Sequence, residues 1–249
     1  MAGASVAVLT ERLLASRPPG GSSRWERQNH RDRAVSLLSG PALAIAAGTT
    51  ASLPLGPAAV AALGSAAVGA YDDAVGDGSA KGLRGHLGAL RHGRVTSGTI
   101  KIAGIGASSV LACTLLDAPG SGRAWRGALL GGAVVAASAN LLNLLDLRPG
   151  RALKVGAAAA VLLGQPGPAG AAAALLPADL AERTMLGDAG ANALGAVLGL
   201  ALAQRYSSRR LPVLVALTAV TGASELVSYS RVIEALAPLR WLDRAGRRP

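Results

Sequence analysis

Residues 185–205 read MLGDAGANALGAVLGLALAQR. One acidic residue, Asp188, opens a run of Ala, Gly, Leu and Val that shows no polar stripe, and a soluble amphipathic helix needs such a stripe at every turn. A helix apolar on all sides belongs in a core or a bilayer. Outward from this stretch the same texture returns from Ala34 to Leu53, Leu55 to Tyr71, Ile102 to Leu116, Gly127 to Leu145, Val155 to Leu163, Ala171 to Leu176 and Leu211 to Val227. Hydrophobic residues make up 51% of the 249-residue chain, charged residues only 16%, and the mean hydropathy is +0.39, which argues against a soluble domain of this length. The 33 glycines and the absence of Phe point to helices packed backbone to backbone through small side chains. The expected fold is all-α: a single polytopic membrane bundle of about eight spans, some short or re-entrant where GQPGPAG interrupts Val155 to Leu176.

Orientation follows from charge. Arg17, Arg24, Arg27, Arg31 and Arg33 precede the first stretch; Lys81, Arg84, Arg91, Arg94 and Lys101 follow the second; Arg148, Arg151 and Lys154 follow the fourth. The alternate loops hold only Arg123, Arg126, Arg205, Arg209 and Arg210. Because Lys and Arg favour the cytoplasm, the first set is expected there, with both termini cytosolic in a bacterial inner membrane. This asymmetry also accounts for the formal charge of +11 without a nucleic-acid partner. Residues 1–33 read as an interfacial helix or truncated span, with Val6, Leu9, Leu13 and Leu14 at helical spacing, followed by a cytosolic link. Residues 229–249 read as a cytosolic tail. Cys113 is alone, so an intrachain disulfide and a cysteine metal site are both excluded.

With that topology four acidic residues meet at one face: Asp72 and Asp73 after the second stretch, Asp146 after the fourth, and Asp188 before the seventh. Single acidic residues at helix ends are usually caps or interfacial groups. A set drawn from three distant segments is different, because Mg²⁺ needs only one or two carboxylates plus water and phosphate oxygens. Asn140, Asn143 and Asp146 recur every three residues, within an arc of roughly 120° on one helix. The implied ligand is a phosphate ester, with Lys81, Lys101 and Arg148 nearby to offset its charge. A transporter would place its polar groups at mid-bilayer instead.

YDD after one span, NLLNLLD ending a later one and MLGDAGANALGA opening another, in this order from Trp25 to Leu202, resemble the polyprenyl-phosphate N-acetylhexosamine-1-phosphate transferases, the family that includes phospho-N-acetylmuramoyl-pentapeptide transferase. The resemblance implies Mg²⁺-dependent transfer of a sugar-1-phosphate from a UDP-sugar to a polyprenyl phosphate, releasing UMP, in cell-envelope synthesis. It implies Asp72 and Asp73 as the catalytic pair, Asp73 and Asp188 as metal ligands, and Asn143 and Asp146 as substrate contacts, to which spacing adds Asn140 and charge adds Lys81; a homodimer is compatible with it. Where the family reads Asp-Gly-Leu-Asp-Gly, this chain reads Asp146-Leu147-Arg148-Pro149-Gly150, and the histidine-rich loop of many members is missing. The alternative is a catalytically weakened relative that serves as a membrane scaffold for envelope proteins.

Overall fold

The computed structural model describes residues 1–29, 31–75, 88, 96–117 and 124–247. These form eleven α-helices and one small hairpin. The helices are α1 Ala2–Ser16, α2 Ser39–Thr50, α3 Leu55–Val75, α4 Ser97–Leu116, α5 Ala124–Leu145, α6 Arg151–Leu162, α7 Pro166–Leu180, α8 Gly187–Arg205, α9 Arg210–Leu226, α10 Tyr229–Ala235 and α11 Ala237–Arg244. The all-α expectation is met.

Helix α8 is the axis of the bundle, buried along nearly its whole length. One core, with Leu43, Leu153, Leu175, Leu194 and Val197, joins it to α2, α6 and α7; a second, with Ala61, Ile105, Val134, Val135 and Leu200, joins it to α3, α4 and α5. Small residues make this possible. A Cβ on Gly195 would come within 2.6 Å of the Ala139 Cα, and one on Gly199 within 2.7 Å of the Val135 Cα, so α8 and α5 touch through their backbones.

Among the described residues two helices are long and apolar enough to cross a membrane: α4 over Ser97–Leu116 and α5 over Trp125–Leu145. A third arises if Ser207–Ser224 and Tyr229–Ala235, bent by 85°, count as one broken span. Their outward side chains, among them Ile100, Ile102, Leu111, Leu115, Leu129, Leu211 and Val215, are exposed as a lipid-facing surface requires. Among the described residues the protein therefore has two helices, or three with the bent pair, suited to a membrane by length and composition. At ~1.5 Å rise per residue α2, α6 and α7 reach about 18–23 Å, short of the ~30 Å hydrocarbon layer. In α3 and α8 the glycines, together with Asp72 and Asp73 in the one and Asp188, Asn192 and Gln204 in the other, lower the hydropathy.

Two boundaries are corrected. Ala34 does not begin a helix: Glu26–Gln28 (β1) and Ala34–Ser36 (β2) pair antiparallel, Arg27 opposite Val35, inside the segment expected to be a simple link. Val35 is buried, and Ser36 bonds to both sides of Thr184, its N–H donating to Arg183 O (3.1 Å) and its carbonyl accepting from Met185 N (2.9 Å). The hairpin is thereby tied to the chain that enters α8. The expected tail is likewise structured, as α10 and α11.

Candidate functional site

Helix α8 starts without a cap of its own; no side chain next to Gly187 accepts its first N–H groups. The cap comes from α3. Asp73, in the last turn of that helix, accepts the Asp188 N–H on Oδ1 (3.0 Å) and the Ala189 N–H on Oδ2 (3.1 Å), so a carboxylate neutralises two orphan donors and the positive end of the helix dipole. Gly187 has φ +60°, and a Cβ there would lie 2.8 Å from Asp73 Oδ2. Only glycine fits. Gly69, one turn before Asp73, is the other close approach: its missing Cβ leaves room for the Asp188 backbone. Arg27 of β1 holds the far side, donating through Nε (3.2 Å) and Nη2 (2.6 Å) to the Asp73 carbonyl.

Asp72 points elsewhere. Its carboxyl lies close to that of Asp188, and both face the Lys101 ammonium, which pairs with Asp188 and lies 3.4 Å from Asp72 Oδ2. Lys101 is placed by α4, whose first turn is capped by Thr96 Oγ1 accepting the Thr99 N–H (3.2 Å). Asp146 follows α5 directly and lies beside the Gly187 backbone. Burial, and then the carboxylates of Asp179, Asp188 and Asp73, push the Asp146 carboxyl well above the usual range.

Beside Asp146 opens a cavity of ≈ 190 Å³, lined among others by Asn29, Arg148, Pro149, Asp179, Glu182 and Thr184. Glu182 adopts φ +52°, accepts from Asn29 Nδ2 (2.7 Å) and pairs with Arg31 (3.2 Å). Asp179 accepts the Gly150 N–H, which fixes the loop leaving Asp146. Thr184 Oγ1 is buried with no hydrogen-bond partner.

Of the residues singled out in the sequence, Asp72, Asp73, Asp146 and Asp188 are therefore at one end of the bundle. Asn143 is half-buried on α5 and meets Asp146 through its backbone carbonyl (3.1 Å), while Asn140 is exposed. Lys81 lies outside the described residues. Lys101 stands in the sequence as a cation beside the aspartates, not as their direct partner; Asp179, Glu182, Thr184 and Asn29 carry no spacing signal. Among the described residues no group of three or more His, Cys, Asp or Glu side chains forms a ready metal cage. Two carboxylates sharing one cation, here an ammonium, do form the kind of donor set that suffices for Mg²⁺ when water and phosphate complete the shell. No family model, curated protein or solved structure matches this chain.

Proposed function

We propose that this protein is a membrane-embedded, Mg²⁺-dependent transferase that moves a sugar-1-phosphate from a UDP-sugar to a polyprenyl phosphate at the cytosolic face of a bacterial inner membrane, in cell-envelope synthesis. The observation that carries the reading is the meeting of Asp72 and Asp188, from helices remote in sequence, on one shared cation. Asp72 and Asp188 would hold the metal. Asp73 is better suited to setting the position of Asp188, since both its oxygens accept N–H groups of α8. A divalent ion bound there would offset the charge that builds when two phosphate groups approach each other. Lys101, displaced from the carboxylates, would be free to pair with a phosphate oxygen. The cavity beside Asp146 is the place for the donor, with Thr184 Oγ1 and Asn29 as its polar contacts.

The same cap on α8 gives substance to the scaffold reading, because it explains Asp73 and Gly187 without chemistry. One assay separates the two. Protein in its own membrane lipids, given polyprenyl phosphate and a panel of UDP-sugars, should release UMP only with Mg²⁺, and Asp72→Asn and Asp188→Asn should abolish release while the protein still elutes as a folded species. Folded protein with no turnover on any donor would leave the scaffold.

A further inference from the structure

The C-terminal segment is built for a surface. In α11, at 100° per residue, Pro238, Leu239, Trp241 and Leu242 share one arc, and Arg240, Asp243 and Arg244 the other. Among the described residues none covers the apolar arc: Leu239 is 40% exposed, Trp241 70% and Leu242 54%. Arg240 and Arg244, both exposed, flank it on α11, with Glu234 exposed beside Arg244 (2.7 Å). Asp243 alone turns inward.

That inward side is clamped to the bundle. Arg151, in the first turn of α6, donates to Asp243 through Nε (2.7 Å) and Nη2 (3.1 Å), with side chains 4% and 3% exposed. Lys154 donates to the carbonyls of Leu242 (2.9 Å), Asp243 (3.1 Å) and Ala245 (2.6 Å), capping the end of α11. Arg247 bonds Asp243 (2.6 Å) and the Pro149 carbonyl (2.8 Å). Pro149 is only four residues past Leu145, the end of the membrane-length helix α5. The contact holds α11 beside the end of the membrane-length helix α5.

We propose that α11 is an interfacial helix that binds the anionic lipid surface, its Trp241 and Leu242 entering the headgroup boundary and its arginines pairing with lipid phosphates, and that the Arg151–Asp243–Arg247 network passes this attachment to the loop 146–150 lining the cavity. An uncovered apolar arc with a Trp, flanked by arginines and held beside the end of a spanning helix, matches a lipid interface in both polarity and charge. Anchoring thus immobilises a wall of the cavity.

The test uses the full chain in nanodiscs, with Trp25→Tyr and Trp125→Tyr so that Trp241 reports alone. In discs containing phosphatidylglycerol, acyl chains brominated near the headgroup should quench Trp241 and aqueous acrylamide should not; Arg240→Gln and Arg244→Gln should each lower the docked-to-free ratio by about fivefold, as should replacing the anionic lipid with phosphatidylcholine in part. Both arginines are exposed, and gel filtration verifies that the variants stay folded. Trp241 open to acrylamide in every disc, quenching indifferent to lipid charge, or shielding that appears only when two copies share a disc would each overturn the anchor. For the coupling, Asp243→Asn should speed amide hydrogen exchange across Leu147–Gly150, and unchanged exchange there would refute it.

Discussion

Asp73 and Asp72 are neighbours in sequence and opposites in role, since a helix turns about 100° between them. Asp73 faces α8 and spends both oxygens on its first N–H groups; Asp72 faces Lys101 and Asp188. Asp73→Ala therefore leaves two buried donors without an acceptor and should cost about 1–2 kcal/mol, read as a lower unfolding midpoint in detergent, whereas Asp72→Asn should leave that midpoint nearly unchanged. The pair was legible as a pair, but not this division, because which carboxylate reaches across depends on the crossing of α3 and α8, set by Gly69 and Gly187. Lys101 is the complementary case. Its ammonium holds the position a divalent ion would take, so Lys101→Met should tighten Mn²⁺ binding, followed by electron paramagnetic resonance, while slowing any phosphate transfer. About tenfold, or about 1.4 kcal/mol, is a modest part of the ~4 kcal/mol that unit charges 4 Å apart exchange at a partly shielded site.

The helices that could be read from sequence are those whose identity is local. In α3, α4, α5, α8 and α9 unbroken runs of apolar and small residues suffice, and the axial place of α8 follows from a composition that lets α5 approach its backbone at Gly195 and Gly199 and α2 at Gly190. The β1–β2 hairpin escaped notice because its strands have three residues each and owe their conformation to Arg183 and Met185, some 150 positions away. Helix α11 escaped because its arginines suggested a solvated tail, and only the burial of Asp243 against Arg151 reveals the clamp. Burial raises the Asp243 carboxyl, but its hydrogen bonds and charge pairing with Arg151 and Arg247 outweigh this and hold it below its ordinary value. The sign is then fixed: the carboxylate stabilises the docked segment at every pH above about 3.9, the unfolded value, and that stabilisation is lost as pH falls through the lower folded value. Proteolysis between Val227 and Tyr229 should thus remain slow to below about pH 4. Asp243→Ala should bring fast cleavage at neutral pH, since an uncompensated buried arginine costs about 3–5 kcal/mol.

At the scale of the molecule, carboxylates from α3, α5 and α8 gather at one end of a bundle whose other contacts are almost all apolar. Among the described residues Lys101 is the cation that Asp72 and Asp188 share, while Arg27 donates to the backbone carbonyls of Asp73, Arg24 and Glu26 rather than to a carboxylate. A divalent ion that binds the folded arrangement and not the separated helices must then stabilise the whole bundle by mass action, by ~2.7 kcal/mol at a hundred times its dissociation constant. For a chain of this length that corresponds to a rise of roughly 5–10 °C in the unfolding midpoint. Titrating Mg²⁺ into the detergent-solubilised protein should produce this rise, and Asp72→Asn or Asp188→Asn should erase it. Asp73→Ala should start from a lower midpoint yet keep part of the response, because it loses the cap and retains both carboxylates that face Lys101. A Mg²⁺ response equal in all four proteins would mean that the ion acts on lipid, detergent or surface charge, and the carboxylate end would then be an arrangement for joining α3 to α8 and nothing more.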